Sequence, residues 1–133
     1  MPEFKWTNDL SVNVEKFDND HKKLIDYLNK LYDAMSQGHG QKIVPNMLVS
    51  LIQYSKDHFK REEDVLQKHN YPHFEEHKKQ HEEFVKKLND LYEQYNSGSL
   101  ALSIPMVNFL VSWIQNHIQR TDKKYSDFLA KLL

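Results

Sequence analysis

Histidine is the residue whose number and spacing in this sequence could do chemistry, since there are eight histidines and no cysteine. His58 and Glu62 are four residues apart, and so are His77 and His81. On an α-helix this spacing puts both members of a pair on one face, so that each pair could chelate a metal ion. Without thiolates, nitrogen and oxygen donors would hold the metal, and this donor set suits iron, manganese or zinc.

Four amphipathic segments should position these side chains. Apolar residues recur in each segment at alternating steps of three and four, the pattern of a helix with one buried face, and no alternating strand pattern competes with it. The fold class is therefore all-α. Short connections favour antiparallel neighbours, which predicts an up-down-up-down antiparallel four-helix bundle forming a single domain. The domain covers residues 1–133, with helices over about residues 18–37, 42–69, 73–95 and 103–131.

The residues before the first helix predict a separate arm. Residues 1–16 have no sustained hydrophobic period, so we expect them to form an extended N-terminal arm. Its two large aromatic side chains, Phe4 and Trp6, should pack on the rest of the molecule. Asp18 is the predicted N-cap of the first helix.

The predicted bundle brings six polar residues to one end. Each lies near the start of the first or third helix, or towards the end of the second or fourth, and these ends are adjacent in an antiparallel bundle. The side chains should therefore meet in a slab roughly 10 Å thick. A single inward-facing histidine is usually a core residue bonded to a neighbour, but six such positions together indicate a metal-sized cluster. They are His21, His58, Glu62, His77, His81 and His117.

Asp122 requires a local change in the fourth helix before it can join this cluster. It follows His117 by five residues, which on a regular helix turns the second side chain about 140° away from the first. Both residues can reach one site only if the helix loosens between them. We therefore predict a π-bulge or a helix break within residues 118–122, a kind of distortion that often marks functional sites.

The overall composition narrows the classes of partner. Eighteen Lys and Arg nearly balance nineteen Asp and Glu, so the net charge of -1 favours neither nucleic acid nor an anionic membrane. The N-terminus lacks the features of a secretory signal, and the longest apolar stretch, residues 106–114, is too short to insert into a membrane. The absence of cysteine suits a reducing compartment, and we expect a cytoplasmic protein.

Four stretches form a specific pattern over nearly the whole chain. They are FDNDHK at residues 17–22, followed by Leu24 and Asn29; HFKRE at residues 58–62; Tyr71-Pro72, followed by His77 and His81; and WIQNHI at residues 113–118, followed by Asp122 and Tyr125. With this pattern the sequence resembles the hemerythrin family, and in particular its single-domain bacterial members. Asp20 departs from the pattern, because the family commonly has a longer amide or acid there, and this change can alter the hydrogen bonds behind the ligands.

The resemblance implies a non-haem di-iron centre that binds dioxygen reversibly. The two irons would be diferrous without dioxygen, diferric in the oxygenated and met forms, and joined by an oxo or hydroxo bridge. One iron would be filled by three imidazoles, while the other, with two, would keep a single open position for end-on dioxygen. The implied ligands are His77, His81 and His117 on the filled iron, His21 and His58 on the open one, and Glu62 and Asp122 as bridging carboxylates.

This interpretation describes an oxygen carrier rather than an enzyme. The task would be carriage, storage or delivery of dioxygen to an oxygen-consuming enzyme, and water must be kept from the open position. Four residues within one turn of a ligand are candidates to line the dioxygen pocket, although their default role is core packing. They are Leu24, Phe59, Trp113 and Ile114.

Several alternatives stay open. The domain could sense dioxygen through a separate partner, or act as a di-iron oxidase or peroxidase, although ferritin-like sites are richer in carboxylates than this one. Zinc could stabilise the bundle without gas chemistry. A metal-free bundle would leave six polar groups buried, at about 1–3 kcal/mol for each that is unpaired.

Three histidines are left outside the predicted site. His73, four residues before His77, and His69, seven after Glu62, could be mistaken for ligands. The Tyr-Pro spacing of the resemblance selects His77 and His81 instead. We expect these two to have structural or solvent-exposed roles, and we expect the same of His39, a predicted loop residue between two glycines.

Overall fold

All regular secondary structure in the described part of the chain is helical. The computed structural model describes residues 4–36, 40–96 and 104–132. Its elements are a 3₁₀ turn at Asn8–Leu10, α1 (Glu15–Ser36), α2 (Gly40–Lys68), α3 (Phe74–Asn96), α4 (Ile104–Asn116), a π-helical segment at His117–Asp122, and α5 (Lys123–Ala130). The last three form one continuous rod. α1 packs against α2 and α4, and α2 packs against α3, which confirms the predicted up-down-up-down bundle.

The first helix begins earlier than the sequence predicts. α1 starts at Glu15, so Asp18 lies inside its first turn and the prediction of Asp18 as N-cap is wrong. Instead, the Asp18 carboxylate accepts hydrogen bonds from Ser11 Oγ at 2.6 Å and from the backbone N–H of Val12 at 2.8 Å. The acid satisfies donors of the arm rather than those of its own helix, which lets the chain enter α1 three residues sooner.

The N-terminal arm lies on the bundle, as the sequence predicts. Phe4 and Trp6 pack against the main hydrophobic core. The backbone N–H of Phe4 donates to Asn29 Oδ1 at 3.1 Å, and Asn29 Nδ2 donates to the Phe4 carbonyl at 2.8 Å. The ammonium group of Lys22 lies 5.2 Å from the centre of the Trp6 ring. These contacts fix the arm along α1.

A left-handed residue ends α2. Asn70 has φ 55°, a conformation that asparagine tolerates better than most residues. The backbone N–H of Tyr71 then bonds the Leu66 carbonyl at 2.9 Å, a bond that closes the last turn of the helix. This turn places the Tyr71 ring against the His77 ring in an edge-to-face contact.

Two apolar clusters enclose a polar layer. The larger contains most of the leucines, among them Leu24 on α1, and also Phe84 on α3. The smaller, at the other side of the layer, contains Phe17, Leu66 and Tyr125. Along each rod the candidate ligands lie between residues of the larger cluster and residues of the smaller one. The fold therefore surrounds the polar groups with apolar side chains on both sides.

Some expectations concern residues outside the described ranges. His39 and the predicted connection between the third and fourth helices fall largely in residues 37–39 and 97–103. Where the structure does describe the ends of α2, α3 and the fourth rod, they lie within two residues of the predicted positions. None of the described helices is both long and apolar enough to cross a membrane.

Candidate metal centre

The seven predicted ligands meet inside the bundle. Each is buried, with at most 5% of its surface exposed. They form two groups that share Glu62, and within each group the candidate ligand atoms lie within 4.8 Å of one another. One group contains Glu62, His77, His81, His117 and Asp122, and the other contains His21, His58 and Glu62.

The fourth rod changes its winding where the sequence predicts a distortion. Residues His117–Asp122 are π-helical. A π-helix bonds residues five apart rather than four, so it returns a side chain to the same face after five residues. Asp122 is fully buried as a result, with Oδ1 lying 3.1 Å from His117 Nε2.

The Glu62 carboxylate lies at the centre of the site. Its Oε2 is 3.1 Å from Nε2 of His21 and 2.9 Å from Nε2 of His58. Its Oε1 is 3.0 Å from Nε2 of His77 and 3.4 Å from Nε2 of His81. Each oxygen of this carboxylate therefore faces a different group of imidazoles, an arrangement suited to bridging two metal ions.

Asp122 is the second carboxylate that reaches both groups. Its Oδ2 lies 3.2 Å from His21 Nε2, and its Oδ1 lies 3.2 Å from His77 Nε2. These distances are those of ion pairs, but neither oxygen has a hydrogen-bond partner of good geometry among the described residues. Burying two unsatisfied carboxylate oxygens costs free energy, and a cation bound between them and the imidazole nitrogens would offset that cost.

The two carboxylates shift the pKa values of the imidazoles. Burial by itself lowers the pKa of His21, but the nearby carboxylates of Asp122 and Glu62 raise it to about 10. The same carboxylates outweigh burial at His77 and raise its pKa to about 9. Burial would raise the pKa of Glu62, yet the charge of His58 and the bonds from its neighbours hold it well below the usual range. Without metal, protons on imidazoles balance the buried carboxylates.

Three of the imidazoles are also held from behind through Nδ1. Each Nδ1 lies at hydrogen-bonding distance from a side-chain oxygen that can only accept, so Nδ1 carries a proton and donates it. In a neutral ring the lone pair is then on Nε2, which faces the site. The acceptors are Asp20 Oδ2 for His58 at 2.9 Å, Glu63 Oε2 for His81 at 2.8 Å and Gln80 Oε1 for His117 at 3.0 Å.

The donor arrangement fits a metal ion. Nε2 of His81 and Nε2 of His117 lie 3.0 Å apart. Burial lowers the pKa of His117, which favours the neutral ring. When both rings are neutral and their protons are on Nδ1, the two Nε2 lone pairs face each other, and a cation between them removes that conflict. Imidazole and carboxylate donors in this number suit iron, manganese or zinc.

Two of the predicted pocket residues touch imidazoles of the larger group. The ring of Phe59 stacks on His81 with centroids 3.8 Å apart, and the half-buried Trp113 stacks on His117 at 4.6 Å. These stacks restrict how the two imidazoles can turn. The other two predicted pocket residues, Leu24 and Ile114, are each 1% exposed and belong to the main core.

The residues behind the ligands are the ones that sequence reasoning missed. Glu63 and Gln80 look like solvated helix-face residues, although each adjoins a predicted ligand in the sequence, which is the only signal they offer. Tyr125 entered only through the resemblance, and its O–H donates to Glu62 Oε2 at 3.0 Å. Burial raises the pKa of Tyr125 well above its usual value, which keeps this proton in place.

The two remaining described histidines stay outside the site. His73 is exposed and His69 is half-buried. Neither belongs to a group of possible metal ligands in the part of the chain that the structure describes. His77 and His81, rather than these two, therefore face the centre from α3.

Comparisons with known proteins agree with this geometry. The family model described as the Hemerythrin HHE cation binding domain matches residues 12–129. Bacteriohemerythrin of Methylococcus capsulatus is 34% identical over 126 residues, covering 94% of this chain and 95% of that protein. Myohemerythrin of Theromyzon tessulatum is 28% identical, covering 94% and 93%. A crystal structure of wild-type hemerythrin superimposes with a TM-score of 0.89 at 32% identity, covering 95% of this chain and 97% of that one. The chain belongs to the hemerythrin family.

Proposed function

We propose that this chain binds dioxygen reversibly at a non-haem di-iron centre. The observation that carries the proposal is the Glu62 carboxylate, whose two oxygens each face imidazoles of a different group. Membership of the hemerythrin family supports iron as the metal and dioxygen as the ligand. Two ferrous ions held by these residues would supply the electron pair that dioxygen accepts on binding and returns on release.

The unequal division of imidazoles supports a single binding position for dioxygen. Three imidazoles would serve one ion and two, His21 and His58, the other, with Glu62 and Asp122 shared between them. Together with a solvent-derived bridge, this division would give six ligands to the first ion and five to the second. Dioxygen would bind end-on at the position that remains open beside His21 and His58.

The surrounding side chains support carriage rather than catalysis. Leu24 and Ile114 close the polar layer from the side of the main core, and Phe17 and Tyr125 close it from the smaller cluster. Such apolar walls would keep water and protons from the centre, which reversible binding requires. Five imidazoles also make the site poorer in negative charge than a carboxylate-rich oxidase site, and this favours the ferrous state.

Anaerobic reduction tests this proposal directly. The chain is loaded with ferrous iron, exposed to oxygen and then to argon, while its visible charge-transfer spectrum and its iron content are measured. We expect two irons per chain and a colour that appears with oxygen and fades under argon over repeated cycles. Irreversible oxidation in the first cycle, or a single iron per chain, would contradict the proposal.

Two histidine variants separate the site from the rest of the molecule. His58→Ala removes a ligand from the proposed open ion, whereas His73→Ala removes an exposed histidine outside the centre. We expect His58→Ala to lose the reversible colour and His73→Ala to keep it. Equal behaviour of the two variants would count against His58 as a ligand.

A further inference from the structure

A buried carboxylate next to the site accepts hydrogen bonds from a predicted ligand and from two further side chains. Asp20 is 8% exposed. Its Oδ2 accepts from His58 Nδ1 at 2.9 Å and from Arg61 Nε at 3.0 Å. Its Oδ1 accepts from Arg61 Nη2 at 3.0 Å and from the Tyr54 O–H at 2.8 Å. One carboxylate thus joins a predicted ligand to a permanent cation.

The guanidinium of Arg61 grips this carboxylate in a rigid way. Its Nε and Nη2 donate to the two different oxygens of Asp20, which is the planar two-bond arrangement that arginine forms with carboxylates. The same guanidinium lies 5.7 Å from the centre of the Tyr54 ring. Since arginine keeps its charge at all accessible pH values, Asp20 always shares its negative charge with a cation.

The carboxylate behind the larger group of ligands differs in this respect. Glu63 accepts from His81 Nδ1 at 2.8 Å. Over residues 4–36, 40–96 and 104–132, Glu63 forms no ion pair with a lysine or an arginine. His58 and His81 therefore each have a carboxylate behind them, but only the one behind His58 is compensated by a guanidinium.

We propose that Asp20 is a positioning residue for His58 and that Arg61 sets how much negative charge reaches its imidazole. Asp20 fixes the tautomer with the proton on Nδ1 and turns Nε2 towards the metal. Arg61 donates to the same carboxylate and reduces its negative charge. His58 is therefore a weaker electron donor to the metal than it would be with Asp20 alone behind it. This inference rests on the proposed function, because it takes His58 as a metal ligand.

The proposal follows from how carboxylates act on metal-bound imidazoles. A carboxylate that accepts from the outer nitrogen makes the ring more basic and a stronger donor to the metal. A cation bound to the same carboxylate reduces that effect. A weaker donor stabilises the lower charge of a metal ion, and Arg61 therefore favours the ferrous state at the ion held by His58.

Zinc binding tests the role of Asp20 without redox chemistry. We expect Asp20→Asn to bind Zn²⁺ roughly 10- to 100-fold more weakly than the unchanged chain, as is typical when such a partner is removed. In the zinc-loaded protein, the NMR signal of the His58 Nδ1 proton should move upfield in this variant. Asp57→Asn, which removes an exposed carboxylate beside His58 in the sequence, should match the unchanged chain in both measurements.

The reduction potential of the iron-loaded protein tests the role of Arg61. Arg61→Gln leaves Asp20 without its cation, so we expect the potential to fall. Arg61→Lys restores the charge and should bring the potential back towards that of the unchanged chain. Lys60→Gln is the matched control, because it removes an exposed cation one residue away whose partner is Asp64.

The inference fails if Asp20→Asn keeps full Zn²⁺ affinity and the unchanged Nδ1 signal. It also fails if Arg61→Gln leaves the potential where Lys60→Gln leaves it, or raises it. Circular dichroism of each metal-free variant checks folding, and if Asp20→Asn does not fold, the Arg61 pair decides the test. A chain with these zinc effects but no reversible oxygen binding would refute the proposed function and leave the inference intact.

Discussion

At the scale of single residues, some ligands of the centre share one helix face, and others are brought together by the packing of two helices. His58 and Glu62 are brought together by helix periodicity alone, whereas His81 and His117 meet only because two rods pack side by side. The metal-free site holds protons on imidazoles whose pKa the carboxylates have raised. Occupancy by metal and occupancy by protons must therefore exclude each other.

This competition predicts proton release on metal binding. His21 and His77, with pKa values raised to about 10 and about 9, are protonated at pH 7 in the metal-free chain. A metal binds only neutral imidazole, so Zn²⁺ binding at pH 7 should release protons, and the number released should fall as pH rises through 9 to 10. Calorimetry in buffers of different ionisation enthalpy measures this number. Zn²⁺ binding at pH 7 without proton release would contradict the pKa directions given above.

A second prediction at this scale concerns the apolar wall of the site. Ile114→Ala should speed autoxidation of the oxygenated protein, because a smaller side chain admits water to the proposed vacancy. Leu110→Ala is the control, since Leu110 is equally buried but lies one turn further from His117. Both changes should cost stability, at about 2–5 kcal/mol each. If stopped-flow absorbance gives the two variants the same lifetime, Ile114 does not seal the site.

At the scale of elements, the π-helical segment lets His117 and Asp122 face the same site although they are five residues apart. Deleting one residue from it would leave a spacing of four, which a regular α-helix serves equally well. We therefore expect deletion of the exposed Gln119 to restore an unbroken α-helix and to retain metal binding. Deleting the exposed Ser112 from α4 instead should rotate both ligands off the site. Metal content and circular dichroism of the two deletions measure the difference.

The elements also separate what the sequence can predict from what it cannot. The ligands follow from the helical period, and the distortion near Asp122 follows from a spacing that the period does not fit. The bond from Asp18 to Ser11 does not follow, because an acid near a helix start can serve either its own helix or the arm before it. Arg61 and Glu63 look like solvated residues until the packing of neighbouring helices gives them buried partners.

At the scale of the whole molecule, the polar layer between two apolar clusters makes stability depend on metal. A buried set of imidazoles and carboxylates costs free energy that a bound cation returns. We expect the iron- or zinc-loaded chain to unfold at a higher temperature than the metal-free chain, with a gain of about 4 kcal/mol at a thousandfold excess over Kd. Calorimetry with and without a chelator measures the gain, and an unchanged Tm would show that the centre contributes nothing to folding.

The sharing of Glu62 has a consequence for how the chain holds together. One group of donors comes entirely from the first two helices, while the other comes from the later part of the sequence and borrows this single carboxylate. Metal bound at the centre would therefore link the N-terminal and C-terminal halves of the chain. A cut at the turn after α2 would separate His21, His58 and Glu62 from His77, His81, His117 and Asp122, and metal bound by both sets would be the agent that reunites the two fragments.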